Sequence, residues 1–324
     1  MRREARISPF SVSNPWRTKT GMEIEMAGKK LFFIYNPKAG KGQIRGNLLD
    51  ILDIFVKAGY EVTVRPTQYA GEAVELAANR TAKYDLVVCS GGDGTLDEVV
   101  TGIMKSVRRR PIGYIPAGST NDFANSLHIP KSMKRSAEVA VNGELFACDV
   151  GSFNDNTFVY IAAFGLFTEV SYETKQGLKN VLGHMAYILE GMKKLTNIKS
   201  YHMKITTLEN EIEDDFLYGM VTNSTSVGGF KGITGKFVDL SDGVFEVTLV
   251  KRPKNLEDLN RILGALTMKD IDAAQMYCFK TSYLKVEAEE EVAWTLDGEF
   301  GGRHAEVVIE NRKQALHIMV PREK

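Results

Sequence analysis

The chain has 324 residues, 44% of them hydrophobic and 25% charged, enough for one large or two modest domains around a buried core. Lys+Arg and Asp+Glu both number 41, and this zero net charge argues against a general nucleic-acid binder. Cys89, Cys148 and Cys278 lie far apart in apolar stretches without a CxxC, and no HExxH occurs, so neither a disulfide framework nor a zinc site is indicated. The pattern fits buried thiols in a reducing cytosol.

Residues 1–28 are polar and irregular and lack the apolar core of a secretory signal, so we read them as a disordered extension. No apolar run approaches the ~20 residues of a membrane-spanning helix. From residue 29 to about 145, strand and helix signals alternate. Residues 31–35 form a short apolar run that reads as a buried strand. Leu48, Leu49, Leu52, Phe55 and Val56 follow at helical spacing, with Gly59 just beyond as a stop. Further strands are expected at 62–64, 85–89 and 111–115, and helices at 70–79 and 95–104. Alternation of this kind predicts an α/β domain with a doubly wound parallel sheet, which binds ligands beyond the carboxyl ends of its strands.

After residue 145 the pattern changes to alternating apolar and polar positions. Strands are expected at 149–163, 201–208, 216–223, 244–250, 283–289 and 306–310, interrupted by helices at 178–195 and 256–266. This predicts a C-terminal antiparallel β-sandwich domain with inserted helices over 146–312. The last segment, 313–324, is expected to return to the first domain.

Three loops stand at expected strand ends. In Gly91-Gly92-Asp93-Gly94-Thr95, glycines allow close backbone approach and positive φ, and the helix start offers free N–H groups to phosphate. Asp93 repels anions unless Mg²⁺ bridges it to phosphate or it orients the loop. A tight turn capped by Asp93 or Thr95 is the plainer alternative. Asn36-Pro37-Lys38-Ala39-Gly40-Lys41-Gly42 also joins a strand to a helix, but it is not a Walker A loop, since no Ser or Thr follows Lys41. Residues 116–123 add hydroxyls and an amide in Ser119, Thr120 and Asn121.

These three motifs, in this order and with Leu296-Asp297-Gly298-Glu299 near the end, resemble the diacylglycerol kinase catalytic family, which includes sphingosine and ceramide kinases. The soluble bacterial diacylglycerol kinases are the most similar branch. The resemblance implies a lipid kinase that moves the γ-phosphate of ATP to the hydroxyl of diacylglycerol, giving phosphatidic acid, with Mg²⁺. It implies nucleotide contacts from Asn36, Pro37, Lys38, Ala39, Gly40, Thr67, Gly91, Gly92, Asp93, Gly94, Thr95, Leu96, Asp97 and Ser119. Asp97 stands where the family commonly has Asn, and is expected to add negative charge near the phosphates. Ser119 stands where Thr is common and keeps the hydroxyl.

The resemblance gives Glu299 the role of general base, beside Asp93 in the catalytic centre. An Asp-Gly hairpin turn with a solvated Glu remains the alternative. It also places a structural Mg²⁺ on Asp242 through ordered waters, with backbone carbonyls of Asp239 and Val244, where another Asp-Gly turn would look the same. Lysines 175, 179, 193, 194 and 199 are expected either to hold the chain on anionic lipid or to line a solvated helix face. The expected setting is cytoplasmic, peripheral at the inner membrane surface; a homodimer is compatible with the sequence, which leaves the oligomeric state open. Competing readings are another lipid acceptor (a sphingoid base, ceramide or phosphatidylglycerol), an NAD kinase, which shares GGDGT, and a nucleotide-sensing scaffold without catalysis.

Overall fold

A computed structural model describes residues 28–165, 199–227, 230–231, 238–268 and 274–322. The expected disorder of 1–28 (apart from Gly28), the expected helix at 178–195 and Lys175, Lys179, Lys193 and Lys194 lie outside these residues.

The N-terminal half alternates as its pattern predicts: β1 (Lys29–Tyr35), α1 (Ile44–Lys57), β2 (Tyr60–Pro66), α2 (Glu72–Arg80), β3 (Leu86–Gly91), α3 (Asp93–Lys105) and β4 (Ile112–Pro116). β1 is apolar at consecutive positions because both of its faces are covered. Leu31 and Phe33 pack with Ile44, Ile51 and Phe55 of α1. Phe32 and Ile34 pack with Ala73, Leu76 and Ala77 of α2 and Val99 and Ile103 of α3. The sheet order is β2-β1-β3-β4, all parallel. The chain leaves β1 to one side for β2 and returns on the other side as β3. The switch point between β1 and β3 opens a crevice at their carboxyl ends.

Two helices follow that the sequence reading did not anticipate: α4 (Asp122–Ser126) and α5 (Met133–Asn142). α5 buries Met133, Ser136, Ala137 and Ala140, a helical spacing built mostly from small residues and therefore faint in the sequence.

The C-terminal half is antiparallel and β-rich. It comprises β5 (Glu144–Phe153), β6 (Asn156–Phe158), β7 (Ile161–Gly165), β8 (Tyr201–Thr207), β9 (Glu211–Thr222), β10 (Ser226–Val227) and β11 (Phe230–Lys231). It continues with β12 (Phe245–Lys251), α6 (Leu256–Met268), β13 (Met276–Thr281), β14 (Tyr283–Leu296) and β15 (Glu299–Val320). The single strand expected at 149–163 is three pieces, because Asn154 at φ 49° turns the chain and pairs Phe153 with Asn156. β13 was not anticipated, and its Cys278 is exposed rather than buried; Cys89 and Cys148 are buried. The core here is aromatic: Trp294 meets Phe164 at 4.9 Å and Phe153 at 5.1 Å between ring centroids.

β15 ties the halves together. It pairs antiparallel with β14 and with β5, and its Ile318 pairs parallel with Ile112 of β4. A register shift between Arg312 and Leu316, with Gln314 at φ 51°, lets the strand turn from one sheet into the other. Among the described residues, no helix is long and apolar enough to cross a membrane.

Candidate active site

Loops from β1, β3 and β4 meet at the switch point. The Asn36 N–H donates to Ser90 O at 2.9 Å, and the Ala117 N–H to Gly91 O at 2.7 Å. These bonds continue the parallel ladders into the loops and hold them side by side. Thr67, at the end of β2, joins the same edge by donating its N–H to Tyr35 O at 2.9 Å. The loop after β4 is braced internally: Asn121 accepts the Gly118 N–H and returns its amide to Gly118 O, both at 2.9 Å. Ser119 sits at its exposed tip. In the first loop, Asn36 Oδ1 accepts the Lys38 N–H at 2.9 Å, and Asn36 Nδ2 lies 3.5 Å from Thr95 Oγ1.

Backbone proximity explains two of the glycines. Gly40 has φ +54°, and a Cβ there would stand 2.0 Å from Ala117 O. A Cβ on Gly94 would stand 3.2 Å from Glu299 Oε1. One glycine lets the first loop close on the third; the other lets the start of α3 meet the Glu299 carboxylate. The expected positive φ in the GGDGT loop is absent. Gly92 has φ −82°, and none of Gly91, Gly92 and Gly94 is in the left-handed region. Nor is Thr95 a cap. α3 starts at Asp93, behind Gly92, and Thr95 lies buried inside the first turn with Leu96. What these glycines provide is close approach.

The carboxylates converge across the two halves. Asp93 opens α3, and the backbone N–H groups of Asn121 and Asp122 favour its ionised form. Burial, and after it the charges of Asp122 and Asp297, push its acid strength down to a pKa of about 7. Asp97 lies one turn further along α3. Burial, the Asp297 charge and a hydrogen bond to Asp297 raise it well above the usual carboxylate range.

Asp297 and Gly298 form the β14–β15 hairpin turn, both with positive φ, at 49° and 89°. This is the Asp-Gly turn that the sequence allows, but its carboxylate is not solvated. Asp297 is 3% exposed, which makes it an anchor. Its oxygens accept the N–H groups of Val159 at 2.5 Å and of Tyr160 and Ile161 at 2.9 Å. The Tyr160 hydroxyl donates to Asp297 O at 3.2 Å. Burial raises Asp297 to about 6, against the lowering effect of those N–H donors. Glu299 follows on the rim, reachable from solvent, with burial and then Glu98 raising it above the ordinary value.

The Asp239–Val244 loop lies apart from this cluster. Asp239 Oδ1 accepts the Ser241 N–H and hydroxyl, both at 2.9 Å. Asp242 Oδ1 accepts the Val244 N–H at 3.1 Å, and its Oδ2 lies 3.2 Å from Lys280 Nζ. Lys280 also meets Glu246 at 3.0 Å. Among the described residues, no group of three or more His, Cys, Asp or Glu could hold a metal. A hydrated cation would fit at Asp242 only where Lys280 releases Oδ2.

Asp149 and Tyr160 carry no motif signal, and Asp122 appears only as part of the third loop, with no role of its own. Asp149 is fully buried. It accepts the N–H groups of Gly243 and Gln314, both at 2.7 Å, and Asn311 Nδ2 at 3.2 Å. It thereby joins the Asp239–Val244 loop to the bend of β15. A lone charge inside the apolar run Cys148-Asp149-Val150 was the available signal.

Phosphate-suited loops at a switch point, faced by a carboxylate turn from a β-rich half, define a nucleotide-dependent kinase of the lipid-kinase type. Comparison with known proteins agrees. Residues 30–153 match the model of the diacylglycerol kinase catalytic domain. A diacylglycerol kinase of Bacillus subtilis is 33% identical over 91% of this chain and 98% of its own length. That of Staphylococcus saprophyticus is 30% identical over 90% and 96%. A crystal structure from Bacillus anthracis superposes with a TM-score of 0.78 at 26% identity, over 90% of this chain and 97% of that one. The chain belongs to the diacylglycerol kinase family.

Proposed function

We propose that this protein transfers the γ-phosphate of ATP to the hydroxyl of diacylglycerol, giving phosphatidic acid, with Glu299 accepting the hydroxyl proton. The observation that carries the assignment is the approach of Glu299 Oε1 to Gly94, which sets a carboxylate against the phosphate loop. Its raised pKa improves it as a base near neutral pH. The loops 36–40 and 91–97, with Thr67 and Ser119, bind the nucleotide through backbone N–H groups and hydroxyls at the start of α3. Transfer is direct and in line, and no phosphoenzyme is needed. Family membership and the hairpin that seats Glu299 favour this reading over an NAD kinase or a scaffold that has lost catalysis.

Asp93 Oδ1 is shut from solvent and has no hydrogen-bond partner. A buried oxygen so placed fits a Mg²⁺ bound together with ATP. Such an ion, when bound, neutralises triphosphate charge. Asp93 would hold it, and the Asn121 and Asp122 N–H groups fix Asp93 for that task. A second Mg²⁺, on Asp242 with the carbonyls of Asp239 and Val244, has a structural role in this reading and competes with Lys280 for the carboxylate.

The nucleotide unit is 29–145 and the lipid unit 146–312, with 313–324 returning to the first. Contact with anionic lipid from the cytoplasmic side runs through the lysines from 175 to 199, and a homodimer is compatible with this reading. Turnover of ATP with a panel of micellar diacylglycerol, sphingosine, ceramide and phosphatidylglycerol, and with NAD, tests the acceptor. Diacylglycerol is expected to be used fastest; a faster acceptor of another class overturns the assignment.

A further inference from the structure

α2 begins without a cap of its own. Its N-cap is Gly71, at φ 85°, which has no side chain to offer the free N–H groups of the first turn. The missing acceptors come from another helix. Glu98 of α3 takes the Gly71 N–H on Oε1 at 2.9 Å and the Ala73 N–H on Oε2 at 3.2 Å. The two helices lie close behind this cap: a Cβ on Gly102 would stand 2.5 Å from both Ala77 Cβ and Val74 O. The first residue of α2 then reaches back. Glu72, 4% exposed, takes Arg65 Nη2 at 2.6 Å and Nε at 3.2 Å on Oε1, and the Gln68 N–H at 2.5 Å on Oε2. Arg65 and Gln68 flank Thr67. The Thr67 N–H is spent on Tyr35 O, so its hydroxyl is what remains for a ligand.

We propose that Glu98 and Glu72 are positioning residues for the nucleotide: acting through the start of α2, they lock the loop that carries Thr67 to the helix that carries the Gly91–Thr95 phosphate loop. Glu98 lies about one helical turn after Gly94 on α3, so the two loops are held as one body. A ligand that bridges them meets both in register, and the cost of ordering the loop does not fall on binding. The inference rests on the reading of Thr67 as a nucleotide contact. The sign of the effect separates positioning from charge. Glu98 adds a negative charge near the phosphate loop, so its removal would tighten ATP if charge alone mattered. If it positions Thr67, its removal weakens ATP.

The experiment is calorimetric titration of the full chain with ATP, for wild type, Glu98→Ala, Glu72→Ala, Thr67→Ala and Thr67→Ala combined with Glu98→Ala. Binding is the readout rather than turnover, because the Glu98 charge also raises the pKa of Glu299. Each single variant should raise Kd about three- to tenfold, the worth of roughly one hydrogen bond. In the Thr67→Ala background, Glu98→Ala should add less than about twofold, since it acts through the group already removed. Glu98→Gln keeps the bulk and one acceptor, and it takes the place of Glu98→Ala should that variant not fold; it should raise Kd about twofold or more. Unchanged or tighter ATP binding in the glutamate variants overturns the proposal, and so does an equal effect of Glu98→Ala in both backgrounds. If Thr67→Ala weakens ATP and the glutamate variants do not, the proposal alone falls. If Thr67→Ala binds ATP as wild type does, the Thr67 contact falls and the proposal with it.

Discussion

Two regions of this molecule bury aspartates, and they treat them in opposite ways. At the bend of β15, Asp149 is enclosed and saturated: two backbone N–H groups and one amide point at its two oxygens. At the crevice, Asp93 and Asp97 each keep an oxygen that is shut from water and has no partner. The residue type is the same and the sites are only a few strands apart. The difference lies in the donors that the surrounding backbone presents. A saturated carboxylate acts as a joint, and removing it strands its donors. An under-supplied carboxylate holds a proton or waits for a cation, which is what a site for charged chemistry requires. The contrast separates stability from turnover within one residue type.

The largest expected effect tests the crevice side. Glu299→Gln should leave a folded protein that binds ATP but hardly turns over. Loss of a positioned base costs roughly 10² to 10⁴ in rate, about 3 to 5 kcal/mol of barrier. The loss should appear in kcat, with ATP affinity nearly constant. More than about a tenth of wild-type turnover in the variant would exceed what loss of a base allows and would withdraw Glu299 from that role.

Asp149→Ala tests the joint. It strands the donors of Gly243, Gln314 and Asn311, at about 1 to 3 kcal/mol for each group left unsatisfied. Denaturant unfolding should show a loss of about 3 kcal/mol or more, within the class of broken buried networks. A loss under about 1 kcal/mol would dissolve the contrast, since a saturated aspartate would then matter no more than a surface one.

Asp242 stands between the two cases, with one oxygen on a backbone N–H and the other on Lys280. If Mg²⁺ displaces Lys280, wild-type melting temperature rises with Mg²⁺ and that of Asp242→Ala rises much less. Equal responses would leave Lys280 as the only cation at this site.

The smallest effect is expected at the surface. His202 lies between Asp215 at 3.0 Å and Glu213 at 3.2 Å, and these bonds raise its pKa above the ordinary 6.5. A raised base stabilises the fold while protonated. The contribution is complete below pH 6.5 and is lost as pH rises through the folded value. His202→Gln should flatten the thermal stability profile just above pH 6.5 by a small amount, because the pair is exposed. An identical slope in both proteins would show that the ion pair adds nothing.

Much of the fold was legible because local rules agreed with the tertiary outcome. β1 reads as a buried strand since both of its faces are covered, and Gly59 ends α1 at φ +87° as a stop should. α5 was not legible because its buried face is mostly Ala and Ser. The break of 149–163 was hidden because Asn154 takes a left-handed turn that an asparagine tolerates but does not announce. In the site, the phosphate loops were readable from glycine spacing, although the reason was close approach at Gly94 and positive φ only in the first loop, at Gly40 and Gly42.

Sequence alone determined the parallel α/β half, the strand-end loops and the family, because periodicity and glycine spacing are local and survive without a partner. Only the tertiary structure decided what each carboxylate is. The Asp297 side chain meets the backbone of Val159, Tyr160 and Ile161, 136 to 138 residues away. The Asp297 charge in turn raises the pKa of Asp97 on α3. Ionisation depends on burial, on donors and on neighbouring charge. None of these is a property of the residue itself, so whether an aspartate is a joint, a proton holder or a cation ligand is settled only when distant segments meet.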